Sequence, residues 1–336
     1  MNMHLPRKTC SIAEQIVCYL VLLLMTAACS RPLPEQEAKK FLRAFDNEVM
    51  QLAGRMQKTP ASQAMWQLLS LKKAPLPSML SANPNQKGSS KPFDFNENKG
   101  LYSYNAIGKA FVKTVQSDSI IIDFPYLSEH DTMARFVVTD YAEEATSLQL
   151  LYPIRIQAFL IIGNKVVMTL HHQGSVGHGV PVSGQMTVDF SEFSLRSVFK
   201  NKLFRGYGKV TIDVSLWSFE KQILQSVIQS KITVGADNSL VYNTLDMDIK
   251  MYPIQMKLFI DREAMDRNTK QFNEDFNRHS TIKLYTLNSN QFIGDIRLMD
   301  KIHSDKLNPA IVYNNHSFEF LEDFLLSIQK IMNVKM

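Results

Sequence analysis

Three histidines are the residues of this chain whose type and spacing come closest to chemistry. His171, His172 and His178 lie within eight positions, and four glycines occur between Gly174 and Gly184. Imidazole binds zinc and serves as an acid or a base, so one hypothesis is a metal-dependent or hydrolytic enzyme that uses the His172–His178 loop. However, His171 and His172 would point to opposite faces of a strand, and the loop holds no Asp, Glu or Cys. We therefore favour a strand end followed by a flexible hairpin loop, with no metal.

A second pair with chemical potential consists of Asp246 and Asp248, which would share one side of a strand. Such a pair can act in acid–base catalysis or bind calcium, but the solvated face of a strand is the simpler interpretation. The chain has no Gly-x-Ser-x-Gly elbow, phosphate loop, His-Glu-x-x-His motif or dinucleotide fingerprint. The sequence therefore predicts a protein that is not an enzyme and has no cofactor.

The N-terminus has the features of a targeting signal. Arg7 and Lys8 precede a run of ten apolar residues at 16–25, which is too short for a membrane-crossing helix of roughly 20 residues. Small residues then lead to Cys29, in a pattern that resembles the bacterial lipobox. This resemblance implies a signal peptide over residues 1–28 and a lipid anchor on Cys29. All three cysteines lie in the first 29 residues, so the rest of the chain can form no disulfide.

The elements that would position a site change in type along the chain. Apolar residues three and four apart predict a helical hairpin within residues 29–71, in which Thr59 caps the second helix and Pro60 occupies its first position. Residues 72–92 are rich in Pro, Ser and Asn, which is typical of a linker or a surface loop. Residues 93–336 form a β-rich body that ends in a C-terminal helix over 321–332. We expect a further helix over 217–230.

Within the β-rich body, apolar and polar residues alternate with a period of two, as over 185–190 and 209–216, which predicts half-buried strands. The motif that starts at Tyr152 recurs at Tyr252, an offset of 100 residues, and each copy predicts a strand that begins just after a proline. The class is therefore α+β: an N-terminal helix pair, a large and mostly antiparallel sheet, and a C-terminal helix. A true repeat would make the sheet duplicated, either as two lobes or as one extended curved sheet.

This layout resembles a class of uncharacterised outer-membrane lipoproteins of Bacteroidota, through the lipobox cysteine, the helix pair, the linker and the β body with its Tyr152–Ile161 segment. The resemblance implies a place in the cell envelope and no known reaction. Surface-exported members of that phylum often carry acidic residues directly after the lipidated cysteine. Here residues 30–34 come before Glu35, which favours a protein that faces the periplasm.

A looser resemblance is to the lipoprotein carriers of the envelope, which are curved sheets with an apolar concave face closed over by helices. Together these features predict a non-enzymatic binding or carrier module, although ordinary core packing uses the same apolar faces. Its partners would be the membrane, through Cys29, and an apolar ligand, an envelope protein or a glycan. The candidate ligand-binding residues are Tyr152, Tyr252, His172 and His178. A net charge of +5 from dispersed basic residues argues against nucleic acid.

Overall fold

The computed structural model describes residues 32–71, 74–77, 80, 93–126, 132–147, 151–204, 206–235, 240–266, 271–300 and 308–327. The predicted signal peptide, Cys29, most of the 72–92 segment and residues 328–336 lie outside these ranges. Inside the 72–92 segment, Leu76 is buried among core residues.

The described chain is β-rich, and its strands belong to one sheet. In chain order they are β1 (Gly100–Asn105), β2 (Ala110–Val115), β3 (Ile120–Pro125), β4 (Met133–Ala145), β5 (Leu151–Ile162), β6 (Lys165–Gly177), β7 (Val180–Phe190), β8 (Phe193–Phe204), β9 (Tyr207–Ser218), β10 (Lys221–Val234), β11 (Leu240–Tyr242), β12 (Thr244–Met251), β13 (Ile254–Asp261), β14 (Ser280–Thr286), β15 (Phe292–Leu298), β16 (Pro309–Val312) and β17 (Phe318–Phe320).

The sheet is a meander in which most strands pair with the next one along the chain. From β3 to β10 and from β12 to β17 each pairing is sequential and antiparallel. β10 pairs with both β11 and β12, and β1 joins β2 to β3 with the single parallel ladder in the described part. The prediction of a large, mostly antiparallel sheet is therefore confirmed, and the sheet is open.

Five helices accompany the described strands: α1 (Glu35–Gln57), α2 (Pro60–Ser70), α3 (Phe95–Asn98), α4 (Phe272–His279) and α5 (Leu321–Phe324). The side chain of Thr59 accepts a hydrogen bond from the backbone N–H of Ser62, and Pro60 follows it at the first position of α2. Of the predicted C-terminal helix over 321–332, residues 321–324 form α5, and after a break at Leu325 residues 326–327 are helical again within the described range.

α1 and α2 pack across the strands on one face of the sheet, which we call the inner face. The first half of α1, from Ala38 to Phe45, packs on β13–β16, and its second half, around Leu52, packs on β7–β12. α2 packs on β3–β6. A 23-residue helix is about 34 Å long, which is the width of about seven strands.

α1 and α2 lie towards one end of the strands, which we call the helix end. Arg55 of α1 reaches Glu192 in the β7–β8 turn at 3.4 Å, and the N–H of Leu33 donates to the carbonyl of Phe292 at 2.9 Å. The turns at 163–164, 191–192, 219–220 and 252–253 share this end because the strands alternate in direction. The opposite end, with the turns at 178–179 and 206, is the far end.

The expected helix over 217–230 is wrong. Residues 217–218 end β9, and most of the segment forms β10 between β9 and β12. A register shift between Gln222 and Leu224 makes Ile223 an extra residue, so Ile223 and Leu224 both pack against the helices while Val227 points to the other face. This bulge breaks the two-residue period and imitates a helical pattern.

The two proline-led segments also differ from the prediction. β13 begins directly after Pro253, as expected, but β5 begins at Leu151 and contains Pro153 next to a register shift, where a proline is tolerated. β5 and β13 run in opposite directions within the same sheet, so their tyrosines lie at opposite ends of it. The two segments therefore do not occupy equivalent places.

Candidate functional site

A row of apolar side chains crosses the inner face, and the ladder register defines it. Starting from β8, each member lies directly opposite the next on the neighbouring strand. The six residues, which we call the transverse row, are Phe199, Ile212, Ile228, Met247, Leu258 and Ile282. Since strands stand about 4.8 Å apart, the row is about 24 Å long.

The members of the transverse row are partly exposed. They belong to none of the three core clusters formed by described residues, because the helices cover the neighbouring positions nearer the helix end. Further partly exposed apolar residues border the row on the same face: Met186, Val214, Ile249 and Ile260. We call these ten residues the open apolar face.

The inner face carries no charge where the row crosses it. In the described strands β8–β10 and β12–β14, the residues that share a face with the row are apolar or are Ser, Thr, Asn and Gly, except for Lys221 at the helix end of β10; the other charged residues occupy the alternate positions. A patch of partly exposed apolar side chains is unusual on a soluble surface and marks a place where a ligand or partner binds. The face therefore offers dispersion and hydrophobic contact without a charged group.

The side chain of Tyr152 closes one end of the row. Gly184 lies opposite Phe199, and Gly174 lies opposite Gly184, so the line of the row continues over two residues without side chains. The Tyr152 ring fills this space, since a Cβ on Gly184 would stand 2.3 Å from its hydroxyl oxygen and one on Gly174 2.7 Å from its ring. Of the four glycines singled out in the sequence, three thus lie within strands and Gly179 lies in the turn; Gly174 and Gly184 make room for the ring.

Hydrogen bonding and ring contacts fix the position of Tyr152. Its hydroxyl donates to the carbonyl of Ser183 at 2.9 Å, and its ring centroid lies 6.2 Å from that of Phe199. Burial raises the pKa of the hydroxyl above its ordinary value, so it remains a donor at neutral pH.

His172 packs beside Tyr152 and is buried, with 7% of its surface exposed. Its Nε2 lies 2.9 Å from the carbonyl oxygen of Pro153, so this nitrogen carries the proton, and Nδ1 has no hydrogen-bond partner among the described residues. This arrangement indicates a structural role for the His172 side chain, which packs beside the Tyr152 ring.

The structure does not bring His172 and His178 together. β6 continues to Gly177, and His178 lies in the following turn with a positive φ of 51°. His172 and His178 are six residues apart, mostly along β6, so their backbone positions are about 20 Å apart, too far for the two side chains to share one metal ion. No group of three or more His, Cys, Asp or Glu in the described residues is arranged to hold a metal.

Tyr252 lies apart from the other candidate residues. It occupies the β12–β13 turn at the helix end, where 57% of its surface is exposed, whereas Tyr152 lies towards the far end. Cys29 lies outside the described residues. The transverse row itself escaped the sequence analysis because its members lie on six strands whose register no local pattern reveals.

Comparisons with known proteins add no relative: no family model, no curated protein and no solved structure matches this chain. Within the residues that the structure describes, no helix combines the length and the apolar character needed to cross a bilayer.

Proposed function

We propose that this protein is a non-enzymatic, lipid-anchored binding or carrier module of the cell envelope, and that its open apolar face holds the acyl chains of an amphiphile. The observation that carries the proposal is the transverse row, in which six partly exposed apolar side chains stand in register across six strands. Each methylene group that leaves water for this row contributes about 0.8 kcal/mol.

The dimensions of the row suit an acyl chain. The hydrocarbon core of a bilayer is about 30 Å thick and contains two leaflets, so one chain extends about 15 Å. The row is about 24 Å long. Met186 and Met247 supply side chains that adapt to ligands of differing shape.

Acyl chains fit this face better than a glycan or a protein strand does. A glycan needs hydrogen-bonding side chains, which are sparse on the inner face along the row. A protein strand adds to a sheet through unpaired backbone groups, but β8–β10 and β12–β14 have neighbours on both sides. An extended hydrocarbon requires neither feature.

The proposed location in the cell envelope rests on the sequence. The lipobox pattern supports an outer-membrane lipoprotein that is anchored through Cys29 and faces the periplasm. α1 begins at Glu35, shortly after Cys29, and Leu33 is bonded to Phe292 at the helix end of the sheet. An anchor on Cys29 would therefore tether the molecule close to its helix end.

Native mass spectrometry of the full chain with Cys29→Ala, purified from the periplasm without detergent, tests the proposal. We expect a bound amphiphile that adds a discrete mass. The same mass should be lost from the variant in which Ile228 and Met247 are both replaced by Ser. A ligand-free spectrum together with no binding of added palmitate would refute the proposal.

A further inference from the structure

Three lysines stand in register on the outer face of the sheet, opposite to the face that carries the transverse row. Lys202 of β8 lies directly opposite Lys209 of β9, and Lys209 lies directly opposite Lys231 of β10. We call these three residues the lysine ladder. The neighbouring residues Asn201, Val210 and Ser230 are buried and point to the inner face, which places the lysines on the outer one.

None of the ladder lysines forms an ion pair with a carboxylate of the described protein. Residues directly opposite on adjacent strands have Cβ atoms about 5 Å apart, well inside the screening length of about 10 Å. No described carboxylate lies within 4.0 Å of a ladder ammonium group, although all three lysines are exposed. By contrast, Lys250 lies 3.9 Å from Asp248, and Lys257 lies over the ring of Tyr285.

Like charges directly opposite each other destabilise a sheet, so the ladder is a feature that the fold tolerates at a cost. An external anionic surface would remove this cost. Lysine ammonium groups act as point charges without a fixed fork geometry, which suits phosphate groups that move laterally in a membrane.

Two exposed tyrosines at the far end, Tyr207 of β9 and Tyr242 of β11, favour a lipid surface as the anionic partner. Tyr207 precedes Lys209 by two residues on the same face, and 72% of its surface is exposed. Tyr207, Tyr242, Lys231 and Arg262 line a cleft of about 810 Å³ at the far end, together with one acidic residue, Glu263. Tyrosine beside basic residues is typical of the boundary between water and lipid, where the ring enters the headgroup layer.

We propose that the lysine ladder docks the far end of the sheet onto a membrane surface that carries anionic lipid headgroups. The inference rests on the proposed function for its purpose, since docking would bring the open apolar face close to a lipid source. The three lysines lie on the other face and do not belong to the open apolar face. The anchor at Cys29 and the ladder lie towards opposite ends of the sheet, so the two attachments are distinct.

The test uses the full chain with Cys29→Ala and two kinds of vesicle, one of phosphatidylcholine alone and one that also contains phosphatidylglycerol. The measured quantity is the ratio of partition into anionic over neutral vesicles, because this ratio cancels the contribution of the apolar N-terminal segment. The ladder variant carries Lys202→Gln, Lys209→Gln and Lys231→Gln. A charge-matched control carries Lys58→Gln, Lys165→Gln and Lys221→Gln, all exposed and at the helix end.

A lysine near an anionic surface strengthens binding about fivefold, so the ladder variant should lower the ratio about 100-fold at low salt. The control should lower it less than tenfold. An unchanged ratio in the ladder variant, or an equal loss in the control, would overturn the proposal. It would also be overturned if poly-glutamate bound the natural chain and not the ladder variant while the vesicle ratio stayed the same, because the surface would then dock acidic protein.

Palmitate binding separates this inference from the proposed function. The ladder variant should bind palmitate in solution as the natural chain does, because the ladder faces away from the transverse row. If the ladder variant loses its preference for anionic vesicles but still binds palmitate, the result supports the membrane-docking proposal independently of the acyl-chain site. Intact vesicle preference in a chain that binds no palmitate would leave the ladder standing and remove the acyl-chain site.

Discussion

Replacement of Ile228 by serine is the most direct test of the transverse row. Ile228 of β10 lies near the middle of the row, between Ile212 of β9 and Met247 of β12. The substitution removes about two methylene-sized groups from the surface that a bound chain would cover. At about 0.8 kcal/mol for each group, the loss is about 1.5 kcal/mol, and palmitate should bind about tenfold more weakly.

Isothermal titration calorimetry with palmitate measures this effect, and a negative heat-capacity change on binding should accompany it. Val227→Ser provides the matched control, since Val227 precedes Ile228 on the same strand and faces the other side of the sheet. Urea unfolding of both variants checks that each is folded. Equal affinities for the natural chain and Ile228→Ser, or equal losses in the two variants, would refute the assignment of the row.

Three further predictions concern the packing around the site and the helices. Gly184→Ala should lower the free energy of unfolding by about 1–3 kcal/mol, because the new Cβ meets the Tyr152 hydroxyl at 2.3 Å; urea midpoints measure the loss. Asp46→Ala should cost about 2–4 kcal/mol and expose the C-terminal segment to protease, because its carboxylate accepts bonds from the N–H groups of Leu326 and Ser327. Hydrogen bonds from Lys39, Asn315 and Ser317 lower the pKa of Glu35 to about 2. The natural chain should therefore lose stability between pH 4.5 and 2, and Glu35→Gln should lose less over this range; urea midpoints measured at each pH test this.

Each of these predictions has its own control. Tyr152→Phe should restore stability to Gly184→Ala, since the ring carbon that remains lies 3.6 Å from the new Cβ; failure of this rescue would contradict the clash. Glu48→Ala is the control for Asp46→Ala: Glu48 is exposed on α1, so its loss should leave the free energy of unfolding nearly unchanged. The Glu35 contacts stabilise above pH 4.5 and are lost as the pH falls towards 2, so a steep slope that persists in Glu35→Gln would contradict their role.

The sequence analysis succeeded where local pattern decides structure. Strict alternation over 185–190 and 209–216 predicted strands, and these segments lie in β7 and β9. It failed over 217–230, where one bulged residue, Ile223, moved the apolar residues out of phase. A bulge forms when neighbouring strands enforce their register, and a single strand's sequence does not contain that information.

Prediction of the candidate site from the sequence was limited even more strongly by unknown strand register. Tyr152 and His172 were singled out from local motifs, and the structure places them side by side. The hypothesis of a site in the His172–His178 loop finds no loop there, because the segment continues as a paired strand to Gly177. The transverse row depends on ladder registers over six strands, and those registers follow from turn lengths and bulges throughout β8–β14.

The first half of α1 can complete its contacts only after the strands near the end of the described chain have formed. Glu35 at the start of α1 bonds to Ser317, 282 residues away in sequence, whereas each strand from β4 to β10 finds its partner in the next hairpin. Pairings between segments close in sequence form faster than pairings between distant ones, so the sheet can form hairpin by hairpin during synthesis. The first half of α1 packs onto the sheet later, once its strands are present. A chain that stops before β16 would keep most of its sheet pairings and leave the first half of α1 without part of its packing surface.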